Sequence, residues 1–111
     1  MRKLYIVKNS RDFEKIITTG KIIKNKSFVV YSIENNLPYS RFGISVGKKI
    51  GNAVNRNKYK RRLRNIIDKY KKDYINSKDY IIILRGSAKD KTYQELETDF
   101  LSLINKMRKE K

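Results

Sequence analysis

Arg41-Phe42-Gly43-Ile44-Ser45-Val46-Gly47 runs into Lys48-Lys49-Ile50-Gly51-Asn52, and then into Ala53-Val54-Asn55-Arg56-Asn57-Lys58-Tyr59-Lys60-Arg61-Arg62-Leu63-Arg64. The first segment alternates with the period of a strand. Phe42, Ile44 and Val46 make an apolar row, and Arg41, Gly43, Ser45 and Gly47 a small or polar one. The apolar row suits a core. The other row leaves the sheet low on that side, where another backbone can lie. Asn52 is placed to cap a long helix over residues 53–72. Tyr59, Leu63, Ile66, Ile67 and Tyr70 recur at i, i+4, i+7, i+8 and i+11, which gives that helix one apolar stripe.

Upstream, Ser10 can cap a short helix over residues 11–19, with Asp12 and Glu14 in the first turn and Gly20 as its stop. Phe13, Ile16 and Ile17 form its apolar stripe. Ile22-Ile23 allows a brief strand. Residues 28–33 alternate in a β-branched and aromatic run and read as a full strand. The polar stretch from Glu34 through Pro38 to Ser40 reads as a hairpin-like connection. Downstream, residues 79–84 are a nearly continuous apolar strand, expected at the centre of a sheet or covered on both faces. Thr92 and Glu95 make a capping box for a last helix, whose inner face is Leu96, Phe100, Leu103, Ile104 and Met107. The order is α-β-β-α-β-α with a possible extra short strand, an α+β fold built as an α-β sandwich in a single domain. The charged ends, Met1-Arg2-Lys3 and Met107-Arg108-Lys109-Glu110-Lys111, are expected to fray.

Composition bounds the function. The chain has 111 residues, 39% of them hydrophobic, with 8 Tyr and 4 Phe, enough for one modest core. Against 28 Lys and Arg stand 11 Asp and Glu, a net charge of +17. A small surface with that charge repels itself and calls for a polyanion. The absence of Cys excludes a disulfide framework and a thiolate zinc site. The absence of His removes the side chain best suited to proton transfer near neutrality. No apolar run approaches the ~20 residues of a membrane span. No apolar signal core opens the chain. A soluble, cytoplasmic protein with no membrane association and no obligate protein partner is expected.

The charge is concentrated. Residues 41–72 hold 12 basic side chains and one acid, Asp68. At about 100° per residue, Asn57, Lys60, Arg61 and Arg64 share one sector of the long helix beside Arg56. That sector lies on the shoulder of the helix, where it can form one wall of a groove. Lys58, Arg62 and Lys69 fall on the outermost side. Most charge runs are solvated helix faces, but those interleave acids at i±4, and no acid occurs from Lys48 to Ile67. Arginine dominates the centre of the run, and its planar fork suits bidentate phosphate contacts. Such a surface fits a ligand that relieves the repulsion.

The stretch from Arg41 to Arg64 closely resembles the signature of the bacterial ribonuclease P protein subunit. Lys8-Asn9-Ser10-Arg11-Asp12-Phe13, Phe28-Val29-Val30-Tyr31 and Asp79-Tyr80-Ile81-Ile82 resemble the same family, so the likeness spans nearly the whole chain. It implies a sandwich similar to the second domain of ribosomal protein S5, with a left-handed βαβ crossover. It further implies a protein that joins a catalytic RNA to remove the 5′ leader from precursor tRNA. Magnesium is then held mainly by the RNA and substrate, and no protein side chain is catalytic. By position, Lys48, Lys49, Arg56, Asn57, Lys60, Arg61 and Arg64 face RNA. Phe13, Ile17, Tyr31 and Ser45 line a cleft for the single-stranded leader. By pattern alone, Phe13 and Tyr31 read as core. Many members of the family carry a second aromatic where Ile17 stands, so leader contacts here lean more on Tyr31 and on charge.

Three other classes fit less well. A self-sufficient nuclease needs its own acid–base pair or metal carboxylates. Glu95 and Asp99, four residues apart, offer at most a weak metal pair and more simply suit a helix N-terminus. An RNA-recognition motif needs aromatics where residues 41–47 carry Gly and Ser. A general double-stranded-RNA or ribosomal protein explains the charge equally well, and only the long signature argues against it.

Overall fold

A computed structural model describes residues 6–7, 9–70 and 77–109, with side chains through Met107. Lys8, Lys71, Lys72 and the outermost residues of the charged ends (1–3, 110 and 111) lie outside the described residues. The elements are α1 (Ser10–Thr19), β1 (Lys21–Lys24), β2 (Phe28–Glu34), β3 (Arg41–Val46), α2 (Ala53–Lys69), β4 (Lys78–Leu84) and α3 (Tyr93–Lys109). The strands form one sheet in the order β1-β2-β4-β3, with β1–β2 and β2–β4 antiparallel and β3–β4 parallel. The parallel pair is joined through α2, a βαβ unit.

The central place of β4 follows from its composition. Tyr80, Ile82 and Leu84 enter the main core with Phe28 and Val30, beneath the apolar stripes of α2 and α3. Ile81, on the opposite face, packs with Val7 and Ile16 under α1. A strand with apolar groups on both faces is stabilised most between two neighbours, so β3 is displaced to its far side. The connection at residues 34–40 is therefore not a hairpin: it carries the chain past the end of β4. Asn35 organises it, with Nδ2 donating to Tyr39 O at 3.1 Å and to Asp79 Oδ1 at 2.8 Å, and Oδ1 accepting from Leu37 N at 2.8 Å.

The helix termini show the capping chemistry, with one shift. Asn9, not Ser10, caps α1: its Oδ1 accepts from Arg11 N at 2.8 Å, and Ser10 is already helical. Both residue types cap well, so sequence alone allowed either. Gly20 ends α1 because a Cβ there would lie 2.5 Å from Ile16 O and 2.7 Å from Ser32 O. Asn52 caps α2 through Asn55 N at 3.0 Å. Thr92 and Glu95 form the reciprocal box, with Thr92 N donating to Glu95 at 2.9 Å and Glu95 N to Thr92 at 3.2 Å. α2 ends at Lys69, where Lys69 and the Tyr70 hydroxyl both donate to Glu97 of α3.

A buried polar knot ties the β1–β2 turn to α3. Lys91 Nζ donates to Ser27 Oγ at 2.7 Å and to Asp99 Oδ2 at 2.8 Å, and Ser27 donates to the same carboxylate. Burial alone would raise the Asp99 pKa, but the hydrogen bonds from Lys91 and Ser27 outweigh it and hold it below the usual carboxylate value. A depressed folded pKa contributes stability above the unfolded value, about 3.9, and that contribution is lost as pH falls through the folded value. Thermal melts from pH 7 down to about 2.5 are expected to show this acid loss. Asp99→Asn should flatten it and lower stability at pH 7 by about 1–2 kcal/mol. An unchanged acid limb in Asp99→Asn would show that other carboxylates carry it.

Candidate nucleic-acid interface

The α1 side of the sheet is only partly covered. The register places residues of all four strands in rows, and one row reads Ile22–Tyr31–Ile81–Gly43. Phe13 of α1 roofs the inner end of that row, and a Cβ on Gly43 would lie 2.8 Å from both its ring and Ile81 Cδ1. The low strip expected along β3 is thus filled by protein at Gly43. Glycine is needed there so that the ring can lie on the strand.

The next row, Lys24–Val29–Ile83–Ser45, is only partly covered, with Ile83 at the border of the α1 cluster. Val29, Ile83 and Ser45 are half-buried and Lys24 is exposed, although a β-branched run reads as core. Tyr31 is also half-buried, packed at the border of the small α1 cluster. Ile17 does not join the α1 core stripe. It is 37% exposed on the last turn of α1, while Ile16 is sealed. Phe13, Tyr31 and Ser45 therefore share one face of the sheet, with Ile17 on the helix that crosses it. Val29 and Ile83 are additions that sequence reasoning missed. Their signal was hidden, because half-buried and fully buried strand positions carry the same residue types.

The basic wall begins where this strip ends. Beyond Ser45 and Val46, residues Lys48–Ile50 form a tight 3-10 turn with Lys48 and Lys49 exposed. Gly51, at φ 140°, turns the chain into the Asn52 cap in a conformation other residues rarely adopt. The stem of Lys49 lies against Gly86, where a Cβ would approach it to 3.2 Å. The β3–α2 and β4–α3 loops thereby pack at the same end of the sheet.

Along α2, Asn57, Arg61 and Arg64 are exposed and Lys60 and Arg56 half-buried. Arg56 stands three and seven residues before Tyr59 and Leu63, so its stem enters the apolar side. Its Nε is enclosed with no hydrogen-bond partner among the described residues. Arg62 departs from its expected outermost place: it is half-buried, with its guanidinium 5.5 Å from the centre of the Tyr59 ring. Three residues is close to one turn, and the ring face attracts the cation. Lys69 is held at 2.8 Å by Glu97, which raises its pKa first through that hydrogen bond. These two charges are engaged internally, while Lys48, Lys49, Arg61 and Arg64 face solvent.

The carboxylates are occupied elsewhere. Glu95 completes the cap and Asp99 the buried knot, so this pair does not fit a metal ion. Among the described residues no group of three or more His, Cys, Asp or Glu is arranged to hold one, and no helix is long and apolar enough to cross a membrane. Asp79, buried at the start of β4, accepts both Arg41 Nε at 2.9 Å and Nη2 at 2.5 Å.

An α+β sandwich with an arginine-rich helix shoulder joined to a partly covered cross-strand strip defines an RNA-binding protein class. The family model for ribonuclease P matches residues 1–108. The chain belongs to the ribonuclease P protein family. It is 36% identical over 104 residues to the ribonuclease P protein component of Streptococcus thermophilus, covering 94% of this chain and 93% of that one. A Streptococcus pneumoniae ribonuclease P protein component is 39% identical, with 94% and 85% covered. Among solved structures, a Staphylococcus aureus RNase P protein mutant with defective mRNA degradation activity superposes with TM-score 0.88 at 38% identity, covering 96% of this chain and 90% of that one. The RNase P protein from Thermotoga maritima gives 0.82 at 31%, with 91% and 96% covered.

Proposed function

We propose that this protein acts as the protein subunit of ribonuclease P, binding the catalytic RNA with its α2 wall and the 5′ leader of precursor tRNA with its cleft. The observation that carries this reading is the meeting of the two surfaces. The partly covered row ends at Ser45, three residues before Lys48, so a strand of RNA leaving the basic wall passes directly onto the sheet. Arg61 and Arg64 offer planar forks to phosphates, and Lys48 and Lys49 offer point charges. Tyr31, Val29 and Ile83 offer apolar and aromatic surface to bases, with Phe13 and Ile17 across from them on α1. Neutralised phosphates at this junction let substrate and RNA approach each other without repulsion.

Bond cleavage is assigned to the RNA. Ser27, Lys91 and Asp99 have the atoms of a hydrolytic trio, but Ser27 is 0% exposed and its hydroxyl is bound to Asp99. No substrate phosphate reaches it. In this reading the magnesium ions that ribonuclease P chemistry uses are held by RNA and substrate phosphates, whose hard anionic oxygens suit that cation. The setting is the cytoplasm.

Cleavage of a precursor tRNA at low magnesium tests this. The protein alone is expected to cut nothing, and the RNA subunit to cut slowly. The two together are expected to release the leader at a magnesium concentration where the RNA alone fails. Cleavage by the protein alone, or no gain from adding it, overturns the reading.

A further inference from the structure

The strip that holds Ser45 continues to the free edge of the sheet. Lys24 pairs with Val29, Val29 with Ile83 and Ile83 with Ser45, one line of side chains across four strands. Neighbouring strands stand about 4.8 Å apart, so the line is roughly 14 Å long. Ile23 of β1 is buried in the α2–α3 core, and alternation turns Ile22 and Lys24 to the α1 side. Ile22, directly opposite Tyr31, is 52% exposed. Among the described residues, large apolar side chains are exposed at Ile17, Ile22 and Val54, and the first two stand on consecutive elements joined at Gly20.

Charge distinguishes this edge from an ordinary apolar patch. Lys21, Lys24 and Lys26 are all exposed around it. Lys26 lies 3.8 Å from Asp99, whereas Lys24 has no acid partner among the described residues. An isoleucine beside a tyrosine, with an unneutralised ammonium one row away, matches the chemistry of single-stranded RNA: an apolar face for a base and a cation for its phosphate.

We propose that Ile22 and Lys24 form an outer subsite for the 5′ leader, taking a nucleotide beyond the one that reaches Tyr31. The inference rests on the cleft reading given above. The leader crosses β3, β4 and β2 in turn and leaves over β1, where Lys24 holds a phosphate as the strand passes the edge.

The test uses the holoenzyme assembled with its cognate RNA and precursor tRNAs whose leaders grow one nucleotide at a time. Equilibrium binding is measured for the parent protein, Tyr31→Ala, Lys24→Ala and Lys24→Arg. Lys24→Ala is expected to lose affinity several-fold, beginning at a longer leader than the loss caused by Tyr31→Ala. For long leaders its log-log salt slope should shrink by about 0.7, the value for one phosphate of a single strand. Lys24→Arg should restore both. If Lys24→Ala matches the parent at every length while Tyr31→Ala keeps its step, the outer subsite is overturned and the cleft stands. If neither variant depends on leader length, both fall. A Lys24→Ala loss equal at every length, or a chain dimer that Lys24→Glu dissolves, assigns this edge to another partner and also overturns the subsite.

Discussion

Raising salt from about 50 to 200 mM is expected to weaken binding of this protein to the RNase P RNA by roughly two to three powers of ten. The size follows from counting charges that can meet phosphates. Lys48, Lys49, Arg61 and Arg64 face solvent, and Arg56 and Lys60 stand half-buried at the groove side of α2. Arg62, drawn onto Tyr59, and Lys69, held by Glu97, are left out because protein groups already engage them. About six contacts at −0.7 to −0.9 each give a log-log slope near −4 to −5. Isotherms at a series of chloride concentrations measure it. A slope near zero would mean that shape or stacking, rather than the +17 charge, supplies the affinity.

The basic wall was legible in the sequence because it is marked by what is missing. No acid separates Lys48 from Ile67, and that absence survives any error in helix boundaries. The central place of β4 was legible for a similar reason, since Tyr80-Ile81-Ile82-Ile83-Leu84 has no polar side to give to water. The sheet order was not. Residues 28–34 pair with residues 78–84, far away along the chain, and nothing in the polar loop at 34–40 distinguishes a hairpin from a passage around β4. The cleft was half legible. Gly43 and Ser45 announced a low strip, but whether the chain's own Phe13 or a ligand fills it depends on where α1 crosses the sheet. Val29 and Ile83 escaped notice because their exposure comes from the short reach of α1 and not from their chemistry.

Arg61→Ala and Tyr31→Ala are expected to damage different partners. Arg61 is exposed in the dense sector of α2, so its loss removes a phosphate contact and lowers the salt slope for the catalytic RNA by about one. That loss is expected to be the same for every precursor. Tyr31 sits between Ile22 and Ile81 in the row roofed by Phe13, at the margin of the small α1 cluster. Its loss should leave assembly with the RNA nearly intact and weaken precursor tRNA binding by about 1–3 kcal/mol, the worth of one base–aromatic stack. The upper part of that range is favoured by Ile17, which leaves Phe13 as the one ring of α1 beside the cleft to share the stacking. Mature tRNA has nothing to lie in the cleft, so the penalty should vanish as leaders are trimmed toward the cleavage site. The competing account is that Tyr31 only packs: it touches the cluster of Val7, Ile16 and Ile81, and truncation there would loosen α1. Loosening α1 would lower the melting temperature and weaken every substrate alike. Leader-length titrations beside thermal melts separate the two accounts, because a stacking residue depends on the RNA presented and a packing residue does not.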